Sequence, residues 1–179
     1  MLNFRLAEQA DITDIVALVE SAYRGDQSKK GWTTEADFID GQRTDQEEVR
    51  DLMTKPDSFF LLCESQILDQ DQNKLLASVQ LNKSADKAYL GMFAVDPLKQ
   101  GEGIGLALLK QAEHFVQNQW HSKALQMTVI SIRQELINWY LRHDYIRTGQ
   151  LKSFPYEEPR FGKPKRDDLV LEVLEKKLC

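Results

Sequence analysis

Three glycines on alternate residues, Gly101, Gly103 and Gly105, stand between an apolar run and a long amphipathic stretch, and no other feature of the 179 residues narrows the fold as far. Ala88–Val95 is nearly all apolar, as a strand buried on both faces requires. Asp96-Pro97 stops it. Ile104–Trp120 then carries apolar residues at Ile104, Leu108, Ala112, Phe115 and Val116, the spacing of a helix. A glycine-rich turn from strand to helix lets backbone N–H groups approach a ligand closely, because no Cβ intervenes. The free amides of the first helical turn and the positive end of the helix dipole make such a turn an anion site. Taken alone, the pattern fits a phosphate cradle and a plain tight turn equally well.

Two nucleotide motifs fail on spacing. The dinucleotide fingerprint G-x-G-x-x-G would need glycine three residues after Gly103, where Leu106 stands. Its acidic partner, expected about 20 residues on, is replaced by Ser122 and Lys123. A P-loop would need Gly-Lys-Ser/Thr, which is absent.

The rest of the chain reads as one domain spanning 1–179, a length that buries roughly 70% of its unfolded surface. Leu2–Leu6 is a predicted strand. Asp11 caps a helix with apolar residues at Ile12, Ile15, Val16, Leu18, Val19 and Ala22, followed by a polar loop to Gly31. Thr33-Thr34-Glu35 opens a second helical stretch and Thr44–Met53 a third. Asp57–Glu64 and Lys74–Asn82 are strands around a polar hairpin loop, Asp69–Asn73. Ala124–Ile130 is a strand, Glu135–Arg142 a helix, and Tyr145–Gln150 and Asp168–Glu175 close the chain as strands. Strands and helices mixed in this way make an α/β domain.

Charge and cysteine content limit the partners. The net charge of −5 argues against nucleic acid or an anionic membrane, and the short basic cluster Lys163-Pro164-Lys165-Arg166 does not alter that. Cys63 reads as a small buried hydrophobe and Cys179 as a terminal residue, neither in a metal-ligand spacing, so no metal is expected. His114, His121 and His143 read as surface residues. The first residues lack a signal pattern and no apolar run approaches ~18 residues, so the expected location is the cytoplasm.

Gln100-Gly101-Glu102-Gly103-Ile104-Gly105 resembles the Q/R-x-x-G-x-G/A signature of the GNAT superfamily of N-acetyltransferases. Asn138-Trp139-Tyr140-Leu141-Arg142-His143-Asp144-Tyr145 is similar to that family's second signature, a helix with an aromatic-Tyr pair before a Gly-aromatic strand start. Asp144 stands where the family has glycine, a substitution the left-handed tolerance of Asp permits. The resemblance covers nearly the whole chain. It implies a mixed, mostly antiparallel sheet of about seven strands flanked by about four helices and splayed between the fourth and fifth strands, with Gly91 a candidate mark of that irregularity.

The resemblance also implies roles. The co-substrate would be acetyl-CoA, its pantetheine arm paired with the backbone of Phe93, Ala94 and Val95 and its pyrophosphate cradled by Gln100, Gly101, Glu102, Gly103, Ile104 and Gly105. Lys99 or Lys110 is a candidate for a further phosphate, against the plainer reading of a solvated lysine. Tyr140 would give a proton to the leaving thiolate, since a thioester attacked by an amine needs proton removal at one end and donation at the other. The base stays unassigned among Glu35, Glu47 and Glu48. The acceptor, a small-molecule amine, would meet Arg24, Trp32, Thr33 and Glu35, with Arg24 a partner for a carboxylate and Trp32 an apolar wall. An acyl-CoA-binding module without catalysis and a protein or peptide N-acetyltransferase are the alternatives. The C-terminal strands are free to pair across a homodimer, which nothing in the sequence requires.

Overall fold

Successive residues of the apolar run Phe60-Leu61-Leu62-Cys63 go to opposite sides of one sheet: Phe60 and Leu62 into one core, Leu61 and Cys63 into another. The computed structural model describes residues 1–65 and 73–178. The hairpin loop expected over Asp69–Asn73 lies, apart from Asn73, outside the described residues, as does Cys179.

In chain order the elements are β1 (Leu2–Leu6), α1 (Ile12–Tyr23), α2 (Gly25–Ser28), β2 (Ile39–Asp40), α3 (Gln46–Thr54), β3 (Ser58–Ser65), β4 (Lys74–Ser84) and β5 (Lys87–Val95). After them come α4 (Ile104–Trp120), β6 (Ala124–Ile130), α5 (Gln134–Leu141), β7 (Ile146–Ser153), β8 (Lys163–Pro164) and β9 (Val170–Lys177). Seven strands form one sheet in the order β1-β3-β4-β5-β6-β9-β7, and β2 and β8 form a separate short ladder. β5 and β6 run parallel, while the other neighbouring pairs among the described residues are antiparallel. This is the mixed, mostly antiparallel α/β sheet expected.

Helices cover both faces. α1 buries Ile12, Ile15, Leu18, Val19 and Ala22 with α3 against Phe60, Leu62, Met92 and Ala94. A helix of 12 residues is marginal alone, so this stripe, at about 1.5–3 kcal/mol for each large side chain, is what holds it. On the other face α4 packs Leu108, Leu109, Ala112 and Val116 against Leu61, Leu76, Val79 and Leu125. A third, smaller core of Ile39, Ile130, Phe154 and Leu169 sits under the β2–β8 ladder. β7 is an outer strand and leaves Ile146 and Leu151 exposed. Among the described residues no helix is long and apolar enough to cross a membrane.

The helix expected from Thr33 does not form. Thr34 Oγ1 accepts from the Ala36 amide and bonds Ser28 Oγ, while the Glu35 amide reaches back to Tyr23 O. Side chain and backbone are thus engaged in bonds that compete with a helix, and the chain makes a turn into β2.

Two irregularities open the sheet. β5 and β6 are in register only over Lys87–Tyr89 and Ala124–Gln126, and beyond that the strands part. On its other side β5 carries one extra residue, for Ser78 pairs Ala94 but Gln80 pairs Gly91. Met92 takes the left-handed backbone of this bulge, at φ 43°. The expected marker, Gly91, is needed for a different reason, since a Cβ there would stand 3.0 Å from Gln80 Oε1. The extra residue switches the strand's faces, so Ala88 and Leu90 pack toward α4 while Met92 and Ala94 pack toward α1.

Candidate active site

At the mouth of the split sheet the glycine loop crosses from β5 to α4. Asp96 Oδ1 accepts from the Leu98 amide at 3.0 Å and turns the chain out of the strand. Gly101 and Gly103 hold φ of 87° and 82°, the left-handed region, and a Cβ on either would meet no protein atom within 4 Å. The first bond into α4 runs from the Ala107 amide to Gly103 O at 3.0 Å, so the amides of Ile104, Gly105 and Leu106 have no partner inside the helix. Open space in front of unspent amides at a helix start is the physical requirement for an anion.

Gln100 does something the motif did not announce. Its Nε2 donates to Thr33 Oγ1 at 2.7 Å and to Val95 O at 3.2 Å, and its Oε1 accepts from the Trp32 amide at 2.8 Å. The side chain staples the loop after α2 to the glycine loop. Gly31 makes room, since a Cβ there would lie 2.5 Å from Gln100 Oε1.

Past the bulge, backbone groups of β5 face the gap. The Asp96 amide bonds Leu76 O, so by ladder alternation Ala94 turns its polar groups to β4 and Val95 turns its own away. Phe93 O, also in the gap, accepts from Tyr23 Oη at 2.5 Å. A cavity of about 500 Å³ runs from here along the loop, bordered by Phe93, Val95, Gln100, Gly101, Gly103 and Gly105, by Trp32 and Thr33, and by Trp139, Tyr140, Arg142 and His143 of the α5 end. Of the residues expected to meet a cofactor through their backbone, Ala94 turns its polar groups to β4 instead of the gap. The side chains of Ile104, which is buried, and Glu102, which pairs with Lys99 at 3.1 Å, leave the loop's amides to face the cavity. Lys110 pairs with Glu113. The cationic side chain at this cavity among the described residues is Arg142, and His143, expected on the surface, is half-buried and meets Trp139 edge to face with ring centroids 4.6 Å apart.

Tyr140 is buried on α5 between the rings of Trp139 (5.0 Å) and Tyr145 (5.5 Å). The chain leaves the helix through Asp144 at φ 69°, with the Tyr145 amide returning to Tyr140 O, so this position does demand the left-handed backbone. Burial pushes the Tyr140 phenol above its ordinary pKa, the Tyr23 phenol adds to the rise, and Arg133 opposes it.

A second cavity, about 260 Å³, adjoins the first and shares with it Tyr23, Phe93, Leu136 and Tyr140. Its polar wall is a knot of charges. Glu35 Oε2 binds Arg24 at 2.6 Å and Oε1 binds Arg133 at 3.0 Å, all three side chains less than a tenth exposed. Burial raises the Glu35 pKa, but the fields of Arg133, Arg24 and Arg43 overcome it and hold the carboxyl below the usual range. With both oxygens taken, it is no free base. Glu48 is buried against Thr44, 2.8 Å away, and neither it nor Glu47 borders this space. Of the four expected acceptor contacts, Arg24 and Glu35 line the second cavity. Trp32 and Thr33 instead line the first, because the Gln100 staple pulls their loop to the glycines. Tyr23 belongs to the stretch expected to build the acceptor pocket, but Arg43 and Arg133 were not foreseen; they come from two other segments, and only the tertiary fold gathers them.

The glycine loop, the parted strands and Tyr140 thus meet at one place in the fold. Residues 19–145 match the acetyltransferase (GNAT) family model, and the chain belongs to that family. Comparison with curated proteins gives no match. Among solved structures, an N-acetyltransferase from Staphylococcus aureus Mu50 superposes with a TM-score of 0.71 at 13% identity, covering 99% of this chain and 98% of the other. A protein provisionally named a phosphinothricin N-acetyltransferase gives 0.69 at 17% identity, covering 100% and 99%. A spermidine/spermine N-acetyltransferase from Vibrio cholerae gives 0.65 at 14%, covering 99% and 92%. At these identities the likeness is one of fold.

Proposed function

We propose that the chain transfers the acetyl group of acetyl-CoA to a primary amine of a small molecule, with Tyr140 as general acid. The observation that carries this reading is the meeting of two cavities at Tyr140, one along the glycine loop and one against the charged knot. The residues present suit the co-substrate. The amides of Ile104, Gly105 and Leu106 and the open side of Gly101 and Gly103 would hold the pyrophosphate, and the gap-facing carbonyls of Phe93 and Val95 would receive the pantetheine amides. When bound, acetyl-CoA supplies an activated acetyl thioester and departs as a thiol.

Tyr140 Oη, buried and kept protonated, is suited to give its proton to the departing sulfur. The acceptor must arrive with a neutral nitrogen; among the described residues bordering the two cavities the carboxylates are Glu35, held by two arginines, and the exposed Glu135 at the larger one, so its proton would leave through water or Glu135. A cavity of about 260 Å³ walled on several sides suits a small molecule better than a peptide. The test has two parts. Calorimetry with acetyl-CoA should show binding, and a thiol-release screen over amino acids, polyamines, aminoglycosides and peptides should show transfer to at least one small amine. Tight binding without thiol release from any class would identify an acyl-CoA-binding module instead.

A further inference from the structure

The smaller cavity is lined by three arginines and a single carboxylate, and that carboxylate is spent on two of the three. The third, Arg43, has no ion pair among the described residues. Its guanidinium lies 5.8 Å from the Tyr23 ring and 5.7 Å from the Phe161 ring, and Glu20 clamps its backbone by accepting from the Arg43 and Thr44 amides at 2.6 and 2.7 Å. Two guanidinium nitrogens, Arg43 Nη1 and Arg24 Nε, are buried with no hydrogen-bond partner. Arg24 itself is only 6% exposed. A buried cation with an unspent donor is costly unless a counter-charge meets it. Arg43 is half-buried overall, its Nη1 fully so, and it is held by the separate rings of Tyr23 and Phe161 and by a backbone clamp, which fix its position without satisfying its charge.

We infer that the acceptor amine also carries an oxyanion, a carboxylate or a phosphonate-type group, which docks on Arg43 with Arg24 behind it. This rests on the acetyl-transfer reading for the amine end alone. The donor's phosphates are not the partner of Arg43, since the arginine borders the smaller cavity and the glycine loop borders the other. Guanidinium forks bind planar or tetrahedral oxyanions through paired donors. Ile39, Met127, Phe154 and Leu171 line the same cavity and give it an apolar wall, suited to a short hydrocarbon body. The amine would then point to the junction while the anion stays at the arginines. A polyamine is disfavoured by the same field, as like charge repels it.

The test sets amphoteric amines against the same molecules without the anion: L-leucine against 3-methylbutylamine, L-methionine against 3-(methylthio)propylamine, aminoalkylphosphonates, and spermidine. At least one amino carboxylate or aminophosphonate should exceed its anion-free counterpart in kcat/KM by about 10²-fold or more. The carboxylate and phosphonate arms tell which oxyanion is read. Arg43→Gln should raise KM for that acceptor by about 10²-fold with a much smaller change in kcat, and Arg43→Lys should recover part of the loss. Apart from turnover, the amphoteric amine should raise the melting temperature of the wild type and not of Arg43→Gln. Preference for spermidine or for the anion-free amines, or equal selectivity in Arg43→Gln, overturns the inference. Failure of acetyl-CoA to bind overturns the acetyl-transfer reading instead, and the melting shift still decides the anion site.

Discussion

At the scale of a single side chain, the proposed acetyl transfer rests on Tyr140. Tyr140→Phe removes one oxygen and keeps the ring between Trp139 and Tyr145. It should lower kcat by about 10²-fold, the lower end for a general acid because a thiolate leaves readily, with acetyl-CoA affinity nearly unchanged by calorimetry. Because burial pushes this phenol upward, it stays protonated over the working range and gives no alkaline fall of rate. The rate should climb as the acceptor amine loses its proton, near pH ~8 for an α-amino group, and then level. An alkaline fall between pH ~8 and ~10 that Tyr140→Phe abolishes would keep the phenol as the acid but overturn its upward shift, whereas an unchanged kcat in Tyr140→Phe would sink the assignment. The glycines give a second comparison. Gly103→Ala puts a Cβ into the open groove at φ 82° and should weaken acetyl-CoA binding at least tenfold while costing about 1–2 kcal/mol of stability. Gly105→Ala meets Val95 Cγ2 at 3.4 Å and Phe93 Cζ at 4.0 Å, both ordinary contacts, and should bind within a few-fold of wild type. Equal losses from the two would show that the loop is merely a strained turn.

Between elements, the Arg24–Glu35–Arg133 knot ties the end of α1 to the turn before β2 and to the residue that opens α5. Glu35→Gln leaves two buried guanidinium groups uncompensated. It should cost about 3–5 kcal/mol and lower the melting temperature by on the order of 10 °C. The folded pKa of Glu35 lies below its unfolded value near ~4.3, so the knot contributes in full above that pH and its contribution is lost as pH falls through the folded value. Acid titration of the melting temperature should therefore be shallower in Glu35→Gln than in wild type. A variant as stable as the parent at neutral pH would show the pair to be energetically neutral. The helix expected from Thr33 failed at this same knot, whereas Ile104–Trp120 and Ala124–Ile130 formed with the expected bounds. The difference is local. α4 and β6 follow from periodicity and a stop signal inside their own windows, but Thr34 and Glu35 are claimed by partners at Ser28, Arg24 and Arg133. The glycine cradle was legible for the first reason, and the arginine cluster was not for the second.

At the scale of the molecule the sheet is two half-sheets, β1-β3-β4-β5 and β6-β9-β7, joined by three register pairs and by the bond between Tyr89 Oη and Thr128 Oγ1 at 2.9 Å. A ligand in the gap fills what the missing pairs leave. Acetyl-CoA at about 100 times its Kd should add ~2.7 kcal/mol and raise the melting temperature by roughly 5–10 °C. Amide exchange should slow at Val95 and Phe93, with β3 little affected. Uniform slowing across both half-sheets would point to a site elsewhere. The four residues common to the two cavities have a consequence for descent. Ile39, Arg43, Phe154 and Leu171 border one space and the glycines the other, so on the proposed reading the acceptor wall can be rewritten by mutation without disturbing the donor's cradle. A lineage built this way can change its clientele while inheriting its reagent.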